Sequence, residues 1–184
     1  MSEKDKMLLG ELYNANYDEQ LILERTLAQD KCYEYNNLKP SMLKERKELL
    51  KSFLSATKEN FLIEQPFVCD YGYNIELGEN FYSNHNLTIL DCNKVKFGDN
   101  VFIGPNCGFY TACHPKNATI RNQGLEYAKE IIVGNDVWIG GNVVVLAGVT
   151  IGDNVVIGAG SVVTKDIPSN SVAVGNPCKV IKNI

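Results

Sequence analysis

Only two histidines occur among the 184 residues, His85 and His114. Histidine is the side chain whose unperturbed ionisation falls nearest neutral pH, so imidazole chemistry rests on one of these two. An imidazole titrating near pH 6.5 suits general-base work on a hydroxyl, an otherwise poor nucleophile. The six cysteines, Cys32, Cys69, Cys92, Cys107, Cys113 and Cys178, form no Cys-x-x-Cys pair and no Cys/His cluster at zinc-finger spacing. Reduced interior thiols are the expectation, with no metal required.

A net charge of −4 leaves no broad basic surface, which argues against a nucleic-acid partner. The first six residues, Met1 to Lys6, are rich in charge. No stretch approaches the roughly 20 apolar residues that a membrane-spanning helix needs. A cytoplasmic location is expected. The length suits one compact domain with a small appendage.

Residues 1–58 read as an N-terminal helical segment. Met42, Leu43, Leu49, Leu50, Phe53 and Leu54 share one helix face, with Pro40-Ser41 at its start and Ser41 as N-cap. An earlier helix is expected from about Asp18 to Glu34, with Asn36-Asn37 linking the two.

Residues 59–184 have a different texture, short apolar steps punctuated by Gly, Asn and Asp. Written in sixes, residues 133–168 give VGNDVW, IGGNVV, VLAGVT, IGDNVV, IGAGSV and VTKDIP. The first place is always β-branched: Val133, Ile139, Val145, Ile151, Ile157 and Val163. The fifth is aliphatic except at Ser161. Such hexads specify a parallel β-helix in which three make one triangular coil of about 18 residues, no coil being stable alone. Earlier hexads begin at Leu77, Phe97 and Ile103, with a slip of two residues between Ile89 and Phe97. From about 110 to 131 the pattern fails in a polar, turn-rich excursion that contains His114. A long excursion from a compact repeat points to function.

The ordered set Cys69-Asp70-Tyr71-Gly72-Tyr73-Asn74-Ile75, Asn80-Phe81-Tyr82-Ser83-Asn84, Leu87-Thr88-Ile89-Leu90-Asp91, His114-Pro115, Asn135-Asp136-Val137-Trp138-Ile139-Gly140-Gly141, Gly158 to Pro168 and Gly175-Asn176-Pro177 resembles the maltose, galactoside and nodulation-factor O-acetyltransferases, the maltose enzymes most closely. The resemblance covers nearly the whole chain. It implies a left-handed hand for the β-helix, a homotrimer with active sites between subunits, and transfer of an acetyl group from acetyl-CoA to a sugar hydroxyl of the maltose or glucose type. By the same resemblance His114 is the general base, Asn84 hydrogen-bonds at the reacting centre, and the loop carboxylate Glu126 supports the imidazolium. Asp70 is the first acceptor-binding candidate, with Asp91 and Cys92 beside it. Galactoside enzymes carry serine at the place of Asp70 and aspartate at that of Cys92, so this chain stands nearer the maltose type. Asn14, Asn16 and Tyr17 are further candidates for the pocket wall, and His85 falls where the family varies. For acetyl-CoA the resemblance implies Trp138 near the thioester, backbone contacts at Gly141 and Ala159, Thr164 and Lys165 at the nucleotide end, and Lys179 and Lys182 on phosphates. These last two replace family arginines and offer point charges in place of a bidentate fork.

Other readings of the same scaffold are a γ-type carbonic anhydrase, which needs three zinc-binding histidines where this chain has two, and a non-catalytic binding scaffold. Within the acetyltransferases, another small hydroxyl compound or an antibiotic is the alternative acceptor.

Overall fold

The computed structural model describes residues 1–184. All twelve first- and fifth-place residues of the six hexads are buried, so the period of six is the period of an inward-facing wall. Ser161 is no exception: its hydroxyl donates to the Gly158 carbonyl at 2.6 Å and accepts from Gly175 N at 3.0 Å, leaving no orphan polar atom.

The chain winds through three parallel sheets, giving a β-solenoid of triangular section. The first face holds Ala56–Thr57, Ile75–Leu77, Val95–Phe97, Ile131–Val133 and Thr150–Ile151. The second holds Phe61–Ile63, Phe81–Ser83, Phe102–Ile103, Val137–Ile139, Val155–Ile157 and Ser171–Val174. The third holds Phe67–Cys69, Leu87–Leu90, Gly108–Tyr110, Val144–Leu146 and Val162–Val163. Inside, Phe97 packs against Phe81 and Phe109, with ring centroids 5.0 Å apart in both pairs.

Turns at the corners need left-handed backbone, which asparagine and aspartate tolerate. Asn80, Asn86, Asn100, Asn106, Asp136, Asn142, Asn154 and Asn170 all have positive φ. Their side chains ladder from coil to coil, as in Asn80 Nδ2 to Asn100 Oδ1 at 3.0 Å and Asn86 Nδ2 to Asn106 Oδ1 at 2.8 Å.

Coil length is not constant. Asn86 meets the residue 20 positions on in the lower coils; the step is 36 across the excursion, 18 above it and 16 at the top. The surplus of the lower coils falls at one place, the corner between the third and first faces, in segments 70–74 and 91–94. That corner also throws out residues 111–130. The slip seen in the sequence is therefore a systematic enlargement of one edge.

Three helices precede the coils: α1 (Glu3–Leu9), α2 (Glu19–Asn37) and α3 (Leu43–Lys51). Ser2 and Asp5 form a capping box on α1, and Asp18 caps α2. Two local expectations are corrected. The N-cap of α3 is Met42, without a side-chain bond, so Ser41 does not cap it. Asn36 and Asn37 lie inside α2. Asn36 faces the open lower end of the solenoid, where its amide donates to Phe67 O at 2.8 Å and accepts from Phe67 N at 2.9 Å, standing in for a missing strand. Buried Arg46 of α3 continues the plug, donating to Ile63 O at 2.8 Å and pairing with Glu64 at 3.1 Å. The upper end is closed by Lys179–Asn183, which returns antiparallel on Ser171–Val174. No helix is long and apolar enough to cross a membrane.

Candidate active site

The enlarged corner is where the N-terminal segment docks. Met7, Tyr13, Ala15 and Leu21 pack with Tyr71, Cys92 and Ala128 in a second small core. The excursion is ordered by the same contact. Ala112–Cys113, Leu125–Ala128 and Tyr13–Asn14 make a three-stranded antiparallel sheet with Leu125–Ala128 in the middle. A four-residue helix, α4 (Ala118–Arg121), turns the chain between its two loop strands and is capped by Asn117.

His114 follows the edge strand of this sheet, its side chain 55% exposed. Its Nε2 lies 3.9 Å from Glu126 Oε1, beyond a hydrogen bond but close enough to pair with an imidazolium. Glu126 is only 15% exposed, and its other oxygen, Oε2, accepts from the Tyr13 hydroxyl at 3.1 Å. Imidazole and carboxylate thus share one corner.

Two coils below on that corner lies Asp70. Burial raises its carboxyl above the usual range, the Cys92 thiol and the charge of Arg25 pull it back, and the charge of Glu126 raises it further. Cys92 is buried, and its thiol, pushed up by burial, donates to Asp70 Oδ2 at 3.5 Å. Asp91 is fully buried and faces inward to the turn: its Oδ1 accepts from Asp70 N at 3.0 Å and Tyr71 N at 2.8 Å, and Oδ2 lies 3.4 Å from Asn74 N. Its carboxylate holds the backbone that carries Asp70 and has no surface to offer a ligand. Burial raises Asp91 to about 6 even against these amide donors.

A second group lies on a different corner, between the second and third faces. Asn84 N is tied to Ile103 O, and its side-chain oxygen accepts from His85 N at 2.7 Å. The file His85, Pro105, Gly141 and Ala159 climbs that edge, linked through Asn106 N to His85 O, Asn142 N to Pro105 O and Gly160 N to Gly141 O. Trp138 stands next to it on the second face, 59% exposed. His85 Nδ1 meets Gln65 O at 2.6 Å; a carbonyl can only accept, so Nδ1 carries the proton. Thr164 and Lys165 belong to the same corner as His114, higher up, and Lys179 and Lys182 sit exposed on the closing strand. Within one chain Asn84, Gly141 and Ala159 are therefore separated from His114, Glu126 and Lys165 by the width of the third face.

Asn16 and Asn14 hold the N-terminal arm: Asn16 Nδ2 donates to Gly124 O at 3.1 Å, and Asn14 N to Glu3 Oε2 at 2.5 Å. Tyr17 is exposed. Two residues of the site had no mark in the sequence. Tyr13 and Arg25 flank candidates that were singled out or lie in a helix read only for its apolar face. A tyrosine buried beside a charged loop is visible only after the arm docks.

No group of three or more His, Cys, Asp or Glu side chains is arranged to hold a metal ion. The maltose acetyltransferase hexapeptide capping motif matches residues 6–58, and the bacterial transferase hexapeptide motif, of six repeats, matches residues 130–165. A putative acetyltransferase of Saccharomyces cerevisiae is 53% identical over 100% of this chain and 94% of its own length. The crystal structure of a maltose O-acetyltransferase from Clostridium difficile superposes with a TM-score of 0.98 at 50% identity, covering 100% of this chain and 98% of the other. A galactoside acetyltransferase in complex with coenzyme A gives 0.96 at 44% identity, over 100% and 92%.

Proposed function

Because the chain belongs to the hexapeptide-repeat acetyltransferase family, and so is an acetyl-CoA-utilising acyltransferase, we propose that it acetylates a hydroxyl of a maltose- or glucose-type sugar in a single direct step, with His114 as the base. The observation that carries this reading is the shared corner: His114 faces Glu126 at 3.9 Å above a turn that presents a half-buried carboxylate, Asp70. A carboxylate suits sugar hydroxyls, and the Cys92 thiol donates to one of its oxygens.

In this mechanism Asp70 holds the acceptor and His114 removes the proton of the attacking hydroxyl. The hydroxyl oxygen forms a bond to the thioester carbonyl carbon, with Asn84 donating to the developing oxyanion. The C–S bond breaks, and the imidazolium, stabilised by Glu126, returns its proton to the departing thiolate. No acyl-enzyme forms.

Acetyl-CoA lies along the file of Gly141 and Ala159 beside Trp138, with Thr164, Lys165, Lys179 and Lys182 towards its nucleotide and phosphates. Since the file of Gly141 and Ala159 and the residue His114 stand on different corners of one prism, two copies set edge to edge would complete a site, which fits a closed homotrimer. The exposed Val68, Phe102, Trp138 and Leu146 on the second and third faces are apolar surface for such a contact. Residues 1–58 cap the acceptor side, and residues 59–184 carry the transfer. The reading places the enzyme in the cytoplasm, where its six free cysteines stay reduced.

The test is release of CoA thiol from acetyl-CoA with maltose, glucose, galactosides and serine, wild type against His114→Ala. Maltose- or glucose-dependent release should fall about 100- to 10,000-fold in the variant, while acetyl-CoA binding persists. Release with serine alone, or an undiminished variant, overturns the reading.

A further inference from the structure

We propose that Tyr13, in the N-terminal arm, is a positioning residue for the transfer: its hydroxyl fixes Glu126, and through Glu126 the His114 imidazole. The inference rests on His114 being the base. It follows from how three short strands meet. Tyr13 is paired directly with Glu126 across one side of Leu125–Ala128. On the other side Ala112 is paired with Ala128 and Cys113 with Tyr127, so the next step of the same register sets His114 opposite Glu126. Directly opposed residues of antiparallel strands put their side chains on one face. Tyr13, Glu126 and His114 therefore form a row across the small sheet, with the carboxylate in the middle.

The division of the carboxylate fits this row. Oε2 takes the Tyr13 proton at 3.1 Å, and Oε1 is left towards His114 at 3.9 Å. Tyr13 has no exposure, and burial pushes its phenol up, so it stays protonated and can act only as a donor to a carboxylate. A glutamate with three free side-chain torsions would spend much of its time turned away from the imidazole; a buried donor on one oxygen removes that freedom. The arm itself is fixed, by Asn16 Nδ2 on Gly124 O and by Asn93 Nδ2 on Met7 O at 3.3 Å. The N-terminal segment thus reaches the base as well as walling the pocket.

The experiment compares kcat and KM for wild type, Tyr13→Phe, Glu126→Gln and the double variant, with acetyl-CoA and maltose, after thermal unfolding confirms that each is folded. Tyr13→Phe should lower kcat roughly tenfold and leave KM for acetyl-CoA within about twofold. In the Glu126→Gln background it should change kcat by less than about twofold, because residues acting through one another are not additive. Losses that multiply in the double variant overturn the inference, as does a folded Tyr13→Phe with wild-type kcat. Should Tyr13→Phe fold poorly, Glu126→Asp, too short to span both partners, supplies the same test and should lose kcat to a similar extent; wild-type kcat there also overturns it. An undiminished His114→Ala refutes the base assignment itself, and the Tyr13 inference with it, whereas a dead His114→Ala beside an unaffected Tyr13→Phe refutes the inference alone.

Discussion

Replacing Asp91 by asparagine is expected to make the protein more stable at neutral pH and poorer at binding its acceptor. The carboxyl is fully buried, and burial raises it from 3.8 to about 6 although the amides of Tyr71 and Asn74 pull the other way. Between about pH 4 and pH 6 the folded chain keeps a proton that the unfolded chain has released. The stability Asp91 contributes is thus complete below about pH 4 and is lost as the pH rises through 6. A gap of about two units is worth roughly 3 kcal/mol. Asparagine imitates the protonated acid, with one oxygen for the amides of Asp70 and Tyr71 and a donor in place of Oδ2. Urea unfolding at fixed protein concentration should find Asp91→Asn within about 1 kcal/mol of wild type near pH 4, and about 2–3 kcal/mol more stable near pH 8. A wild type that is the more stable at pH 8 would mean that the amide bonds outweigh desolvation of the charge, the reverse of the ranking above. The charge serves the turn: bonds to an ionised acceptor are about twice as strong as neutral ones, and they fix the backbone of Asp70. Acceptor KM should therefore rise in Asp91→Asn while KM for acetyl-CoA does not, a trade of activity for stability.

Glu126→Gln removes a charge 3.9 Å from His114; at that distance the attraction is about 1 kcal/mol in water and about 4 at an effective dielectric of 20. With His114 more than half exposed, screening holds it near about 1–2 kcal/mol, so kcat should fall roughly 5- to 30-fold, and a loss as large as that of His114→Ala would make Glu126 the base. Asp70→Asn should lower kcat/KM for the sugar about 10- to 150-fold, the worth of a charge-assisted hydrogen bond, with no change in KM for acetyl-CoA; equal effects on both substrates would remove Asp70 from the acceptor pocket. Phe109→Ala empties the centre of the aromatic stack, where Phe97 lies 5.0 Å away, and should cost about 3–5 kcal/mol in chemical unfolding; a cost under about 1 kcal/mol would contradict the packed interior.

The coils were legible because one physical demand repeats: a side chain that fits the inner wall recurs at Val133, Ile139, Val145, Ile151, Ile157 and Val163, and all six are buried. What could not be read has equally local causes. Strands as short as Tyr13–Asn14 and Ala112–Cys113 have no period to detect, so the small sheet that aligns Tyr13, Glu126 and His114 left no trace in the pattern. Asn36 looked like a linker because polar residues end most helices; here it stays helical to bond both backbone groups of Phe67 at the solenoid's open end. Asp91 was a candidate only as the neighbour of Cys92, which matches a substrate-contacting place in the resembled family, and burial shows that its carboxylate holds the turn. Yet the proposed site has a mark in the pattern. A regular hexad ties its corner asparagines into a ladder, as between Asn80 and Asn100. Chemistry requires side chains that the ladder does not consume. The two surplus residues in each lower coil and the long excursion free such side chains at one edge, so the failures of the repeat coincide with the corner proposed to hold the base.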